Sequence, residues 1–169
     1  MDPVVPVPAV LAQQAVSQLA IPKLSISASP STAADQLVGL PTWLWLDEGD
    51  WHPITATAAV PGESVTATAT PISVTWSLGD GTTIVCQGPG TPYTAADAPN
   101  APSPTCGHTY ATSSAGQPNN AFVVTATVSW TVAWAGGGQT GTVPTLNNAA
   151  TTALRVADVE ALNTANKET

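Results

Sequence analysis

Val74-Thr75-Trp76-Ser77-Leu78-Gly79-Asp80-Gly81 joins an alternating strand to a tight turn, and that junction decides the fold class. Successive side chains of an extended chain point to opposite faces, so Val74, Trp76 and Leu78 share one face while Thr75 and Ser77 share the other. This is the pattern of a half-buried strand with Trp76 as its core anchor. Gly79 and Gly81 tolerate positive φ because they lack a Cβ, and the Asp80 carboxylate accepts backbone N–H groups just ahead of it. Trp76, Gly79, Asp80 and Gly81 are therefore expected to be structural.

The strand signal recurs on both sides. Ile54, Ala56, Ala58 and Val60 alternate with threonine and alanine, Pro61-Gly62 turns the chain, and Val65, Ala67 and Ala69 alternate with Thr66, Thr68 and Thr70. Pro71 is expected to end that run. After the Gly-Asp-Gly turn, residues 83–87 can return as a hairpin partner. Phe122, Val124, Ala126, Val128, Trp130, Val132 and Trp134 then mark one face of the longest strand. About 13 residues span roughly 43 Å, more than a sandwich normally covers, so the end of this strand is expected to project or bend. Gly136-Gly137-Gly138 turns the chain, and residues 139–144 can return against it. Residues 150–162 fit a strand around Leu154 and Val156, or a short helix through Leu154, Ala157, Ala161 and Leu162. Short strands broken by turn residues predict an all-β antiparallel sandwich over residues 39–162, with a polar tail at 163–169.

Residues 1–38 read as an arm. Pro3, Pro6 and Pro8 favour an extended start. Leu11, Ala12, Ala15, Val16, Leu19 and Ala20 recur at helical spacing before Pro22, which predicts one short amphipathic helix. It packs on its own domain or on a neighbouring molecule. Residues 23–35 read as a polar linker with room for an extended segment.

Trp76-Ser77-Leu78-Gly79-Asp80-Gly81, followed by His108-Thr109-Tyr110 and a long alternating strand, resembles the W-x-F-G-D-G and H-x-Y signatures of PKD domains. The resemblance covers roughly residues 60–134, with Leu78 in place of the usual aromatic and a longer segment between the motifs. It implies an Ig-like, PKD-like β-sandwich of the kind found on surface and secreted proteins, and a structural role for Tyr110 and its motif partner His108. Leu40-Pro41-Thr42-Trp43-Leu44-Trp45, the Cys86 loop and the Gly138-Gln139 pair extend the likeness to uncharacterised exported proteins of high-GC Gram-positive bacteria, a group that brings no activity with it.

Composition narrows the function classes. Charged residues make up 8% of the 169 and the net charge is −8, so the basic footprint that holds phosphate backbones or anionic lipid is missing. Nucleic acid is not an expected partner, and neither is insertion into a membrane, because no apolar run reaches the ~18 residues that a spanning helix needs. A basic region opening a signal peptide is also missing; Met1 is expected to stand after a removed export signal. Cys86 and Cys106 flank a Gly/Pro/Ser-rich loop, which favours a disulfide in an oxidising compartment. The alternative is two free core thiols. His108 beside Cys106 lacks further ligands for a tetrahedral zinc site, so no metal and no cofactor are expected.

Candidate contact residues lie in two regions. Trp43 and Trp45 face one way on a strand whose Leu44 and Leu46 face the other; one pair enters the core, and the second needs a cover, for which the N-terminal helix is nearest, or forms an interface. Tyr93 lies in residues 88–104, a surface loop of the kind that carries binding function, or lies back on the sheet. Asp47-Glu48-Gly49-Asp50 reads as a solvated turn; its density of carboxylates suits Ca²⁺, but the EF-hand spacing is missing. No nucleophile, P-loop or metalloprotease motif is present, and the best carboxylate pair for a glycan hydrolase, Asp80 with Asp47, Glu48 or Asp50, draws on a residue that the turn already uses. The expectation is a non-catalytic, secreted or envelope-associated module that binds protein or glycan at the cell surface. The alternative is a structural or accessory subunit of an envelope assembly, docking or forming oligomers through the N-terminal arm.

Overall fold

A computed structural model describes residues 7–158; the expected tail, the first prolines and the end of the 150–162 segment lie outside them. Helix α1 (Pro8–Ser17) opens the described chain, with proline in its first turn, where a missing N–H costs nothing. Ten strands follow: β1 (Ile26–Ser29), β2 (Gln36–Leu37), β3 (Pro41–Leu46), β4 (Ile54–Val60), β5 (Glu63–Ser77), β6 (Thr83–Cys86), β7 (Gly107–Thr109), β8 (Phe122–Gly136), β9 (Gln139–Leu154) and β10 (Val156–Ala157). The chain is an all-β sandwich with one short helix at its N-terminal side.

One layer has the order β1-β3-β7 and the other β4-β5-β8-β9, with β6 also paired to β5. Between them lies a core that includes Leu44, Leu46, Val74, Trp76, Val124, Val128, Trp130 and Leu154. A short parallel pair, β2 with β10, closes one end.

The large sheet turns on β8. Its even-numbered residues face inward from Phe122 to Val132 without a break, as their alternation predicts. Both neighbours change phase beside Trp130. In β5 the buried positions are Val65, Ala67, Ala69 and Pro71, then Val74 and Trp76; the register slips between Pro71 and Ser73, leaving Ile72 as the extra residue. In β9 the register slips where Thr131 faces Pro144 and Thr145. A one-residue slip moves every following side chain to the opposite face, so these two bulges keep both halves of β5 and β9 facing the same way as β8. They also divide the sheet into a proximal half inside the sandwich and a distal half that extends past it.

The projection expected for β8 is thus a four-stranded extension, with two corrections. Pro71 does not end its strand. It sits between the end of β4 pairing, at Ala69, and the start of β6 pairing, at Val74, where that edge of β5 has no partner and a missing N–H is tolerated. The returning strand does not stop at Pro144 but follows β8 to Leu154, and the described part of 150–162 is strand rather than helix. Residues 23–35 carry the extended segment for which the sequence left room, but it is paired rather than free: β1 joins β3 from Ile26↔Leu46 to Ser29↔Trp43. Position 38 lies between β2, which pairs with β10, and β3, which pairs with β1 and β7.

Helix α1 covers one face of the distal half. Leu11, Ala12 and Ala15 pack on Ala58, Val65 and Ala67 as a second cluster, and Val16 and Leu19 touch both clusters. The Asn148 amide donates to Pro22 O at 2.8 Å and accepts from Trp130 Nε1 at 2.8 Å, which fixes the descent from α1 to β1.

Candidate functional site

Cys86 ends β6 and Cys106 precedes β7, so their disulfide, with Cα atoms 5.7 Å apart, joins the edge strand of one layer to the edge strand of the other. The loop it closes is folded down on β3. Leu46 N donates to Pro89 O at 2.8 Å, and Gly90 lies so close to the Leu44 carbonyl and Trp45 that a Cβ there would collide with both. Trp43 is 3% exposed; its Nε1 donates to Ala101 O at 2.7 Å, and its ring meets Tyr93 edge-on at 5.2 Å. The Tyr93 hydroxyl donates to Asp97 O, while the Asp97 carboxylate accepts from the amide and the hydroxyl of Thr94.

The cover expected from α1 over Trp43 and Trp45 is therefore supplied by the loop, since the helix is occupied by the distal sheet. Trp43 and Tyr93 form the clamp that holds the loop, and Thr94, Ala95, Ala96, Pro99 and Asn100 lie exposed on it.

Trp45 keeps part of its surface exposed. With Pro92, Leu46, Asp47, Glu48, Ser25 and Ser27 it lines an open groove of about 330 Å³ between the loop and the β1–β3 surface. Asp47 caps a 3₁₀ turn (Glu48–Asp50), its Oδ1 accepting from Gly49 N at 2.9 Å. The fold thus brings three stretches read separately in the sequence, the Trp strand, the acidic turn and the cysteine loop, to one cleft. Ser25 and Ser27 are its unforeseen members, because nothing in a polar stretch signals which groove it will line. Among the described residues no group of three or more histidine, cysteine or acidic side chains is placed to hold a metal ion.

The two quoted motifs meet elsewhere. His108 Nε2 donates to Asp80 Oδ2 at 2.8 Å, with the two side chains 14% and 11% exposed, and Asp80 Oδ1 accepts from Thr82 N at 3.0 Å. Burial pushes the Asp80 carboxyl up, but the His108 hydrogen bond, the Thr82 amide and the His108 charge outweigh it, leaving the group below its ordinary value. The Tyr110 hydroxyl donates to Leu78 O at 2.9 Å, and its ring lies parallel to Phe122 at 5.2 Å. Burial, then the Asp80 charge, raise the Tyr110 phenol far above its usual range. Gly79 has φ +83°, and a Cβ there would stand 2.8 Å from Phe122 Cβ. Trp76, Gly79, Asp80, His108 and Tyr110 tie the β5 turn to β7 and the start of β8, with Gly81 (φ +90°) completing the turn.

A third polar node had no signal in the sequence. Gln36 is fully buried; its amide donates to Pro30 O at 2.7 Å and accepts from the Thr42 hydroxyl at 3.1 Å.

Fold and cleft together define an all-β sandwich that carries a disulfide-clamped loop beside an open aromatic and acidic groove. No protein-family model, curated protein or solved structure matches this chain.

Proposed function

We propose that this chain is an exported, non-catalytic recognition module of the PKD-like type, and that its groove at Trp45 takes a glycan at the cell surface. The observation that carries the reading is the composition of that cleft: a partly exposed indole, a proline, two carboxylates and two serine hydroxyls around about 330 Å³. An indole face packs on the C–H face of a sugar ring, and carboxylates and hydroxyls exchange hydrogen bonds with its hydroxyls. The clamped loop holds one wall fixed, which lowers the ordering cost of binding. The contact between the Trp76–Gly81 and His108–Tyr110 motifs supports the PKD-like reading, and the disulfide supports an oxidising compartment.

Tryptophan fluorescence titration against a panel of soluble oligosaccharides tests the groove. Binding by the native chain is expected to weaken more than about tenfold in Trp45→Ala, as for other buried aromatic anchors, compared at a urea-free condition where both chains are folded. Glycan binding that survives Trp45→Ala sinks the reading. A second reading, an accessory subunit that docks through its arm, draws on Val7 and Val10, 61% and 45% exposed at α1. On that reading Val7→Ser with Val10→Ser, rather than Trp45→Ala, removes the contact.

A further inference from the structure

Among the described residues the core buries three polar side chains, and two of them, Gln36 and Thr42, face each other at 0% and 1% exposure. The Gln36 carboxamide is anchored by its nitrogen: Nε2 donates to Pro30 O at 2.7 Å and to Ser31 O at 3.3 Å. Oε1 is thereby turned to the Thr42 hydroxyl, which donates to it at 3.1 Å. A hydroxyl oxygen thus lies beside a carboxamide, and both are out of water.

A base stands across the strand. β3 and β7 pair in the register Thr42↔His108, and directly opposed residues share a face with Cβ atoms ~5 Å apart. Both residues line one open cavity of about 250 Å³, together with Ser103 and Pro102. His108 donates through Nε2 to Asp80 Oδ2 at 2.8 Å, and in a neutral imidazole a donating Nε2 makes Nδ1 the acceptor. Hydroxyl, imidazole and orienting carboxylate are the three parts by which a weak nucleophile is activated, here with a buried carboxamide already beside the hydroxyl.

We infer that Thr42 and Gln36 become joined by an ester, formed once within each folded chain. The Thr42 Oγ1 lone pair attacks Gln36 Cδ while His108 Nδ1 takes the hydroxyl proton. The Cδ–Nε2 bond then breaks, and Nε2 leaves with that proton as ammonia through the cavity. One C–O bond forms and one C–N bond breaks, so amide and hydroxyl give ester and ammonia with no oxidant, reductant or co-reactant. Asp80 is the positioning residue: it holds the imidazole and offsets the charge it gains. The same burial keeps water from the ester once it has formed. The link ties β2, which pairs with β10, to β3. It does not involve Trp45, so its failure leaves the glycan reading standing, and the reverse.

The test is the intact mass of the full chain, reduced and unfolded, with peptide mapping across 36–42. The native chain is expected to weigh one ammonia less than its sequence, with the loss confined to a cross-linked 36–42 segment. Hydroxylamine, which cleaves an ester and spares an amide, is expected to open that segment in the unfolded chain. Thr42→Ser keeps the nucleophile and is expected to keep the loss, whereas Thr42→Val is expected at its full sequence mass. His108→Gln is also expected at full mass, since a general base contributes roughly 100-fold or more to the rate. A native chain at full mass leaves Gln36 and Thr42 as a hydrogen-bonded pair and overturns the inference. So does a loss that persists in Thr42→Val, maps outside 36–42 or resists hydroxylamine. A His108→Gln chain that loses ammonia as completely as the native one overturns the assignment of the base.

Discussion

At the residue scale the turn after β5 shows how a local signal acquires a distant partner. Glycine at 79 and 81 and the Asx chemistry of Asp80 were legible from spacing alone. What the spacing did not give is that the same carboxylate accepts from His108, 28 positions later, because that distance is set by how β7 folds back over the turn. The unfolded Asp80 carboxyl titrates near ~3.9, and its folded value is lower. Its contribution to stability is therefore complete above about pH 4–5 and is lost as pH falls through the folded value. Asp80→Asn is expected to cost about 1–3 kcal/mol at pH ~6, the worth of a hydrogen bond to a charged group. That cost should shrink as pH falls below the unfolded value and through the lower folded value of Asp80. Urea unfolding at pH ~6 and below the folded value measures it; an equal cost at both would remove the charge from the account.

At the element scale β8 was readable and its neighbours were not. Seven inward positions in unbroken alternation identify one long strand, whereas Pro71 and the change of phase after it look like the end of one strand and the start of another. Both halves are one strand because β8 offers a continuous partner, and a bulge costs less than abandoning the ladder. Deleting Ile72 restores simple alternation and turns either Val65, Ala67 and Ala69 or Val74 and Trp76 outward. A loss above about 4 kcal/mol, or no cooperative transition, is expected from burying the wrong face. Ile72→Thr, at a side chain 42% exposed, should stay within about 0.5 kcal/mol. A deletion variant with a native urea midpoint would show that the bulge does not set the phase.

At the scale of the whole molecule two cores share one sheet. The sandwich core lies between layers whose edges the disulfide clasps, and the distal core depends on α1, with Val16 and Leu19 joining the two. Replacing Cys86 and Cys106 together by serine reopens a cross-link between positions 20 apart and is expected to cost ~3 kcal/mol on the chain-entropy model. It should also free the loop on β3, so that limited proteolysis cuts within 88–104 while the native chain resists. An unchanged midpoint and cleavage pattern would mean that Trp43, Tyr93 and Asp97 hold the loop without the bridge.

The sequence by itself determined the β class, the helix before Pro22, the Gly-Asp-Gly turn, the strand of β8 and the cysteine pairing, because each is written in contacts or periodicities within a short stretch, or in the only two residues able to react. Tertiary structure alone decided which surface α1 covers, that the loop and not the helix buries Trp43, and that Trp45, Asp47, Pro92, Ser25 and Ser27 form one groove. It also decided that Gln36 is a buried node and that β5 and β9 run on through their prolines. These outcomes rest on which distant segments become neighbours, and a side chain's burial is fixed by the neighbour that arrives, not by the residues beside it in the chain.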